Sequence, residues 1–129
     1  MTLDLVDASG HHLGGAIIPG PILMRTSLLT GTSGIRSRAR GGAEAGADAL
    51  FARSTVLAIE QGARYAAAAT IDRAVSEARS LLGRTPLAVL TGGGAAAIAA
   101  LVRSAHVERA DLVLQGLAVY TLATAAPRR

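Results

Sequence analysis

The stretch that decides the fold is Met1 to Gly20, MTLDLVDASGHHLGGAIIPG. From Thr2 to Val6 polar and apolar side chains alternate, Thr2 and Asp4 against Leu3 and Leu5, the period of a strand with one buried face. Ala8-Ser9-Gly10 is a turn signal, and Leu13 to Ile18 is a second extended run that Pro19-Gly20 ends. Together they predict a β-hairpin. Asp4 sets a carboxylate on an otherwise apolar strand, which costs free energy unless the group faces water, is paired or holds a cation. The residues alone leave those three open.

Outward from the hairpin, Pro21 to Leu29 reads as a short helix, because proline suits the first turn and Ile22, Leu23, Leu28 and Leu29 supply an apolar face. Thr30 to Asp48 has no period of either kind and reads as a surface loop. Its Arg36-Ser37-Arg38-Ala39-Arg40 run is either a phosphate grip or, more simply, a solvated charge run. Ser54 to Leu82 is the longest predicted element, with Ser54 or Thr55 as N-cap and Glu60 and Arg64 as an i,i+4 pair. Val56, Ile59, Ala63, Ala67, Ile71, Ala74, Ala78 and Leu82 recur at helical spacing, and Gly83 stops the helix. This stripe, rich in alanine, fits an ordinary core helix or a seam for another helix.

Pro86 to Thr91 reads as a short buried strand, which its unbroken apolar run suits to a parallel sheet. Gly92-Gly93-Gly94 follows, then a helix from Ala95 to Arg103. Strand, glycine turn and helix is how backbone N–H groups approach a nucleotide, although a tight structural turn has the same sequence. A last short strand around Val107 and a helix from Leu112 to Thr124, with Asp111 as cap, complete the chain before the tail Pro127-Arg128-Arg129.

Composition bounds the function. The 129 residues amount to one domain with enough chain to bury a core. Half are hydrophobic, yet only Phe51, Tyr65 and Tyr120 are aromatic, so Ala, Leu, Ile and Val must build that core. The net charge of +4 comes from arginine without lysine. That charge raises nucleic-acid binding, but the arginines are scattered and no aromatic platform accompanies them, so nucleic acid is not the expected partner. Without cysteine there are no disulfides or thiolate metal sites. No basic-then-apolar leader opens the sequence and no apolar run reaches membrane length, so a soluble, cytoplasmic protein is expected. His11, His12 and His106 show no metal-ligand spacing, and the first two are expected on the hairpin surface.

Five of these stretches, in order, resemble the type III pantothenate kinases, also known as the Bvg accessory factor-like family. Met1-Thr2-Leu3-Asp4 matches the end of that family's Gly-Thr-Ala-x-Thr-x-Asp phosphate-binding run, whose Gly-Thr-Ala would precede Met1. Gly14-Gly15-Ala16-Ile17-Ile18-Pro19-Gly20 matches its G-G-x-I-x-P-G run throughout. Ser54-Thr55 with Ala58 and Gly62 resembles the [N/S]-T-x-x-A-x-x-x-G start of its dimer helix. Thr91-Gly92-Gly93-Gly94 resembles its T-G-G-[D/N/G] run, with Gly94 where an acidic or amide side chain is frequent. Asp111-Leu112-Val113-Leu114-Gln115-Gly116-Leu117 resembles its closing D-L-V-L-x-G-L run.

The resemblance implies an α/β fold: the C-terminal lobe of an actin-like ATPase-superfamily (acetate/sugar kinase-like) kinase, a mixed sheet flanked by helices. Residues 1–129 would be a single domain, the C-terminal half of the kinase, with the D-x-G-N-T phosphate loop and the catalytic aspartate in an N-terminal half outside this chain. The implied activity is ATP-dependent phosphorylation of pantothenate to 4'-phosphopantothenate, the first step of coenzyme A biosynthesis, with this half inactive in isolation. The alternative is a non-catalytic binding or dimerisation subunit, or a remnant, of that kinase. By the same resemblance Thr2 serves the ATP phosphates, and Asp4 holds a monovalent cation, K+ or NH4+. Thr55 contacts pantothenate, Gly92 and Gly93 border adenosine, and Mg2+ accompanies ATP. A homodimer through the Ser54–Leu82 helix is the implied assembly.

Overall fold

The computed structural model describes residues 1–32, 34–35 and 49–125. Most of the predicted Thr30–Asp48 loop, including the Arg36–Arg40 run, and the tail at 126–129 lie outside the described residues. The elements, in order, are β1 (Thr2–Val6), β2 (His12–Ile17), α1 (Pro21–Gly31), α2 (Thr55–Leu82), β3 (Ala88–Leu90), α3 (Ala96–Ala99), β4 (His106–Glu108) and α4 (Leu112–Ala125).

β1 and β2 form the predicted antiparallel hairpin, with Thr2 opposite Ile17 and Asp4 opposite Gly15. A bulge between Leu5 and Val6 shifts the register toward the turn. Asp7 builds that turn. Its Oδ1 accepts the Ser9 and His11 backbone N–H groups at 2.8 and 2.9 Å, and its carbonyl accepts from Gly10 N–H at 3.1 Å. This is the side-chain turn that aspartate favours, and Gly10 takes the positive φ of 85° that it needs. Beyond the strands, the Met1 nitrogen and carbonyl pair with the Ile18 carbonyl and N–H at 2.8 and 3.0 Å.

The strands expected in one mixed sheet fall into two separate two-stranded ladders, β1–β2 antiparallel and β3–β4 parallel. β3 and β4 are three residues each and pair only with one another among the described strands, Ala88 opposite His106 and Leu90 opposite Glu108. The fold class, mixed α/β, holds.

α2 is the backbone of the molecule, 28 residues and about 42 Å long. Ser54 caps it, its hydroxyl accepting from Leu57 N–H at 3.3 Å, and Gly83 ends it in the left-handed conformation at φ 65°. The core forms where Ala67, Ala68 and Ile71 of α2 meet Leu90, Ile98, Ala99 and Val102, with Met1 and Leu3 packed against them. Ala67 is fully buried, since a methyl side chain lets the neighbouring backbone come close. The stripe is a buried face from Ile59 through Ala63, Ala67 and Ile71 to Ala78, and Leu82 at its end is half-buried.

α1 lies along the first half of α2, tied by an Arg25–Glu60 ion pair at 2.9 Å. Glu60 was expected to pair with Arg64. Arg64 instead donates to the Ala97 carbonyl at 2.9 Å and to Gln61 Oε1 at 3.3 Å, because both lie on the side of α2 that faces α3 and the core. The helix expected from Ala95 to Arg103 contracts to Ala96–Ala99. The chain after it is held differently: Asp72 of α2 accepts the backbone N–H groups of Arg103 and Ser104, and the Ser104 hydroxyl.

Candidate functional site

Thr2 and Asp4 share the exposed face of β1, while Leu3 between them turns to the core. Alternation along one strand is enough to put both polar groups on the same side. Asp4 Oδ1 lies 3.0 Å from His12 Nε2 on β2, and both side chains are more than half exposed. Of the three ways to accommodate this carboxylate, water and a pairing are both in use. His12 had no role in the sequence reading, and the signal for it is subtle: the bulge after Leu5 changes which β2 side chains sit beside Asp4.

Gly15, opposite Asp4, has a stereochemical reason of its own. A Cβ there would overlap the Leu3 carbonyl oxygen and stand 2.9 Å from Asp4 Oδ1. The absent Cβ is what lets the backbone of β1 come this close to β2. No group of three or more His, Cys, Asp or Glu suitable for a metal occurs among the described residues.

The Thr91–Gly94 run leaves β3 through a turn in which Ala95 N–H meets the Gly92 carbonyl at 3.1 Å. Gly92 has φ 84°, which only glycine adopts without strain. Gly93 and Gly94 are different: a Cβ on either would meet nothing within 4 Å. Nothing described in this chain requires glycine at 93, and its bare backbone opens to the outside. The run is joined to the hairpin through the core, since Leu90 just before it and Leu3 of β1 belong to the same cluster.

Thr55 is the first residue of α2, twelve residues before Ala67 and so about 18 Å along the axis from the shared core. Since Ser54 does the capping, the Thr55 hydroxyl has no hydrogen-bond partner among the described residues. Thr2 with Asp4, and the glycine run, therefore gather around one core, and Thr55 stands apart from them. A cleft also opens beside α2, lined by Tyr65, Ala68, Ala69, Asp72, Leu101, Arg103 and Ser104. None of the expected site residues lines it. Burial there pushes the Asp72 carboxyl up, but the Ser104 and Arg103 hydrogen bonds and the Arg103 charge outweigh that and hold it below its ordinary value.

The family model described as type III pantothenate kinase matches residues 1–77, which include Thr2, Asp4, Gly15 and Thr55. The chain belongs to the type III pantothenate kinase family. It is 40% identical to the type III pantothenate kinase of Nitrosococcus oceani over 129 residues, all of this chain and 47% of that protein. The Azoarcus sp. enzyme of that name is 40% identical over 125 residues, 97% of this chain and 44% of its own length. That of Xanthomonas campestris pv. campestris is 36% identical over 127 residues, 98% of this chain and 50% of its own. The chain spans about half the length of these curated relatives. The family match thus carries the hairpin, α1 and α2 as far as Glu77, and the relatives' alignments extend it across the glycine run.

Proposed function

We propose that this chain provides one half of a kinase that transfers the γ-phosphoryl group of ATP to pantothenate, yielding 4'-phosphopantothenate at the entry to coenzyme A biosynthesis. The observation that carries the reading is the membership in the type III pantothenate kinase family. Phosphoryl transfer is mostly a matter of positioning and of stabilising charge around the γ-phosphate. In this reading Thr2 and Asp4 face the phosphate and cation region, and Gly92 and Gly93 present bare backbone to adenosine. The Thr55 hydroxyl, unused by the helix cap, meets pantothenate near a subunit interface.

The exposed Asp4 carboxylate is the group that would hold K+ or NH4+, which would supply a positive charge near the phosphates. For Mg2+ the described residues offer no group of three or more His, Cys, Asp or Glu. The resemblance to the C-terminal lobe of an actin-like ATPase fold supplies the remaining expectation: the phosphate loop and the catalytic base lie in the other half. A homodimer through α2 is consistent with the small exposed residues Ala58, Ala66 and Ala69 on it. No helix described is long and apolar enough to cross a membrane.

A second reading, a non-catalytic binding or dimerisation subunit of such a kinase, draws on the chain matching about half of each relative's length. The test is Asp4→Asn in the chain joined to the rest of a type III pantothenate kinase. Loss of ATP-dependent pantothenate phosphorylation with an unchanged circular dichroism spectrum supports the site. Full activity in the variant contradicts it.

A further inference from the structure

We propose that Asp72 of α2 is a positioning residue for the nucleotide: by holding the chain after α3, it fixes where Gly92 and Gly93 present their backbone. This rests on the kinase reading above, in which those glycines border adenosine.

Gly92-Gly93-Gly94 is carried between two short elements. On one side β3 has three residues, paired with β4 and anchored in the core by Leu90. On the other side α3 has four residues, and a helix that short does not sustain itself. Ile98, Ala99 and the following Val102 share the core with Ala67, Ala68 and Ile71, but alanines contribute little buried area. The glycines bring no side chain to pack, and a Cβ on Gly93 or Gly94 would meet nothing within 4 Å. Polar contacts from α2 supply the missing hold.

They act at both ends of the segment that follows the turn. Near its start, Arg64 Nε donates to the Ala97 carbonyl at 2.9 Å. Asp72, eight residues and about 12 Å further along α2, holds the other end. Its Oδ1 accepts the Arg103 and Ser104 N–H groups at 3.0 and 2.8 Å and the Ser104 hydroxyl at 2.8 Å, and its Oδ2 lies 3.2 Å from Arg103 N. Bonds to an ionised carboxylate are roughly twice as strong as neutral ones. The next residue, Ala105, accepts the Ala88 N–H at 3.4 Å and leads into β4. Asp72 therefore fixes the point at which the excursion from β3 through the glycines and α3 returns to the parallel ladder.

The fold survives loss of this side chain. Asp72 and Ser104 are half-buried and Arg103 is exposed, so water can take the freed N–H groups, and alanine suits a helix. What Asp72→Ala loses is local: the segment behind the turn shifts, and a displacement of about 1 Å at a contacting backbone can cost up to a hundredfold in a reaction.

The test places the chain in a protein of full kinase length, joined to the part of the Nitrosococcus oceani kinase that it does not match. ATP binding is measured by calorimetry, and the KM for each substrate by pantothenate phosphorylation. Asp72→Ala is expected to raise the ATP Kd and KM at least about fivefold and to keep the pantothenate KM within about twofold. Asp72→Asn, which retains Oδ1 as an acceptor, is expected to bring the ATP KM back to within about twofold of wild type. Gly83→Ala is the control for general loosening. It strains the left-handed end of α2, eleven residues beyond Asp72, and should lower the melting temperature without moving the ATP KM.

Unchanged ATP Kd and KM in Asp72→Ala overturn the proposal, as does Asp72→Asn faring no better than alanine. An equal rise in both substrate KM values, or the same ATP effect from Gly83→Ala, makes Asp72 a general support of the fold and also overturns it. A joined wild-type protein that binds ATP without phosphorylating pantothenate defeats the kinase reading, and the ATP Kd of the variants then decides the role of Asp72. One that folds and binds no ATP overturns both.

Discussion

The Asp4 carboxylate and the His12 imidazole meet at 3.0 Å across the hairpin, each more than half exposed. Exposed pairs contribute little to stability, because solvent screens the attraction and two side chains must be ordered. His12→Ala is therefore expected to change unfolding free energy by less than about 0.5 kcal/mol. Its effect should appear elsewhere. In the chain joined to the rest of a kinase, removing the imidazole frees Asp4 Oδ1, and half-maximal activation should then need less K+. A K+ titration of wild type and variant checks this.

Gly15 faces the same carboxylate. Gly15→Ala forces a Cβ into the Leu3 carbonyl, so the strands must part or the hairpin must bend. The expected loss is about 2 kcal/mol of stability, an overpacking cost. Gly93→Ala, with nothing within 4 Å of the new Cβ, should leave stability within about 0.5 kcal/mol. Urea melts of the two variants compare a glycine needed by the fold with one that it does not need.

Ser54 and Thr55 divide the labour at the start of α2. Ser54→Ala should cost about 1 kcal/mol through loss of the cap. Thr55→Val removes a hydroxyl that makes no described bond, so it should alter stability little and raise the pantothenate KM of the joined kinase. Equal destabilisation by both changes would mean that Thr55 serves the helix end alone.

Two carboxylates set the response to acid. The His11 backbone N–H, above all, holds Asp7 below its ordinary value in the turn against a smaller opposing effect of burial. Asp72 is lowered as well, the Ser104 and Arg103 bonds outweighing burial. A folded value below the unfolded 3.8 means that the contribution is complete above about pH 3.8 and fades as pH falls through the lowered value. Asp72→Asn should flatten the stability profile below pH 4 and leave its neutral side sloping as before. Thermal melts at a series of pH values measure this.

Local pattern carried most of the fold. Alternation from Thr2 to Val6 and the Pro19-Gly20 break located the hairpin, and Ser54 and Gly83 bracketed α2 at its observed ends. Pairing between distant elements was not legible. That β3–β4 stands apart from the hairpin, and that Asp72 holds Ser104, are contacts between distant elements that leave no periodic trace. The Glu60–Arg64 spacing misled for a similar reason: spacing along one helix says nothing of Arg25 on α1 or of the Ala97 carbonyl. At the candidate site, motif likeness is what singles out Thr2, Asp4 and Thr55. His12 escaped it because a bulge, which alternation does not encode, sets its position.

The central claim is that this chain is half of a pantothenate kinase and that its residues complete the site. The most direct measurement is transfer of label from γ-labelled ATP to pantothenate, with the chain alone and with the chain joined to the part of the Nitrosococcus oceani kinase that it does not match. The account predicts no transfer by the chain alone, and transfer by the joined protein that depends on Asp4. Transfer by the isolated chain, or none by a folded joined protein, would contradict it.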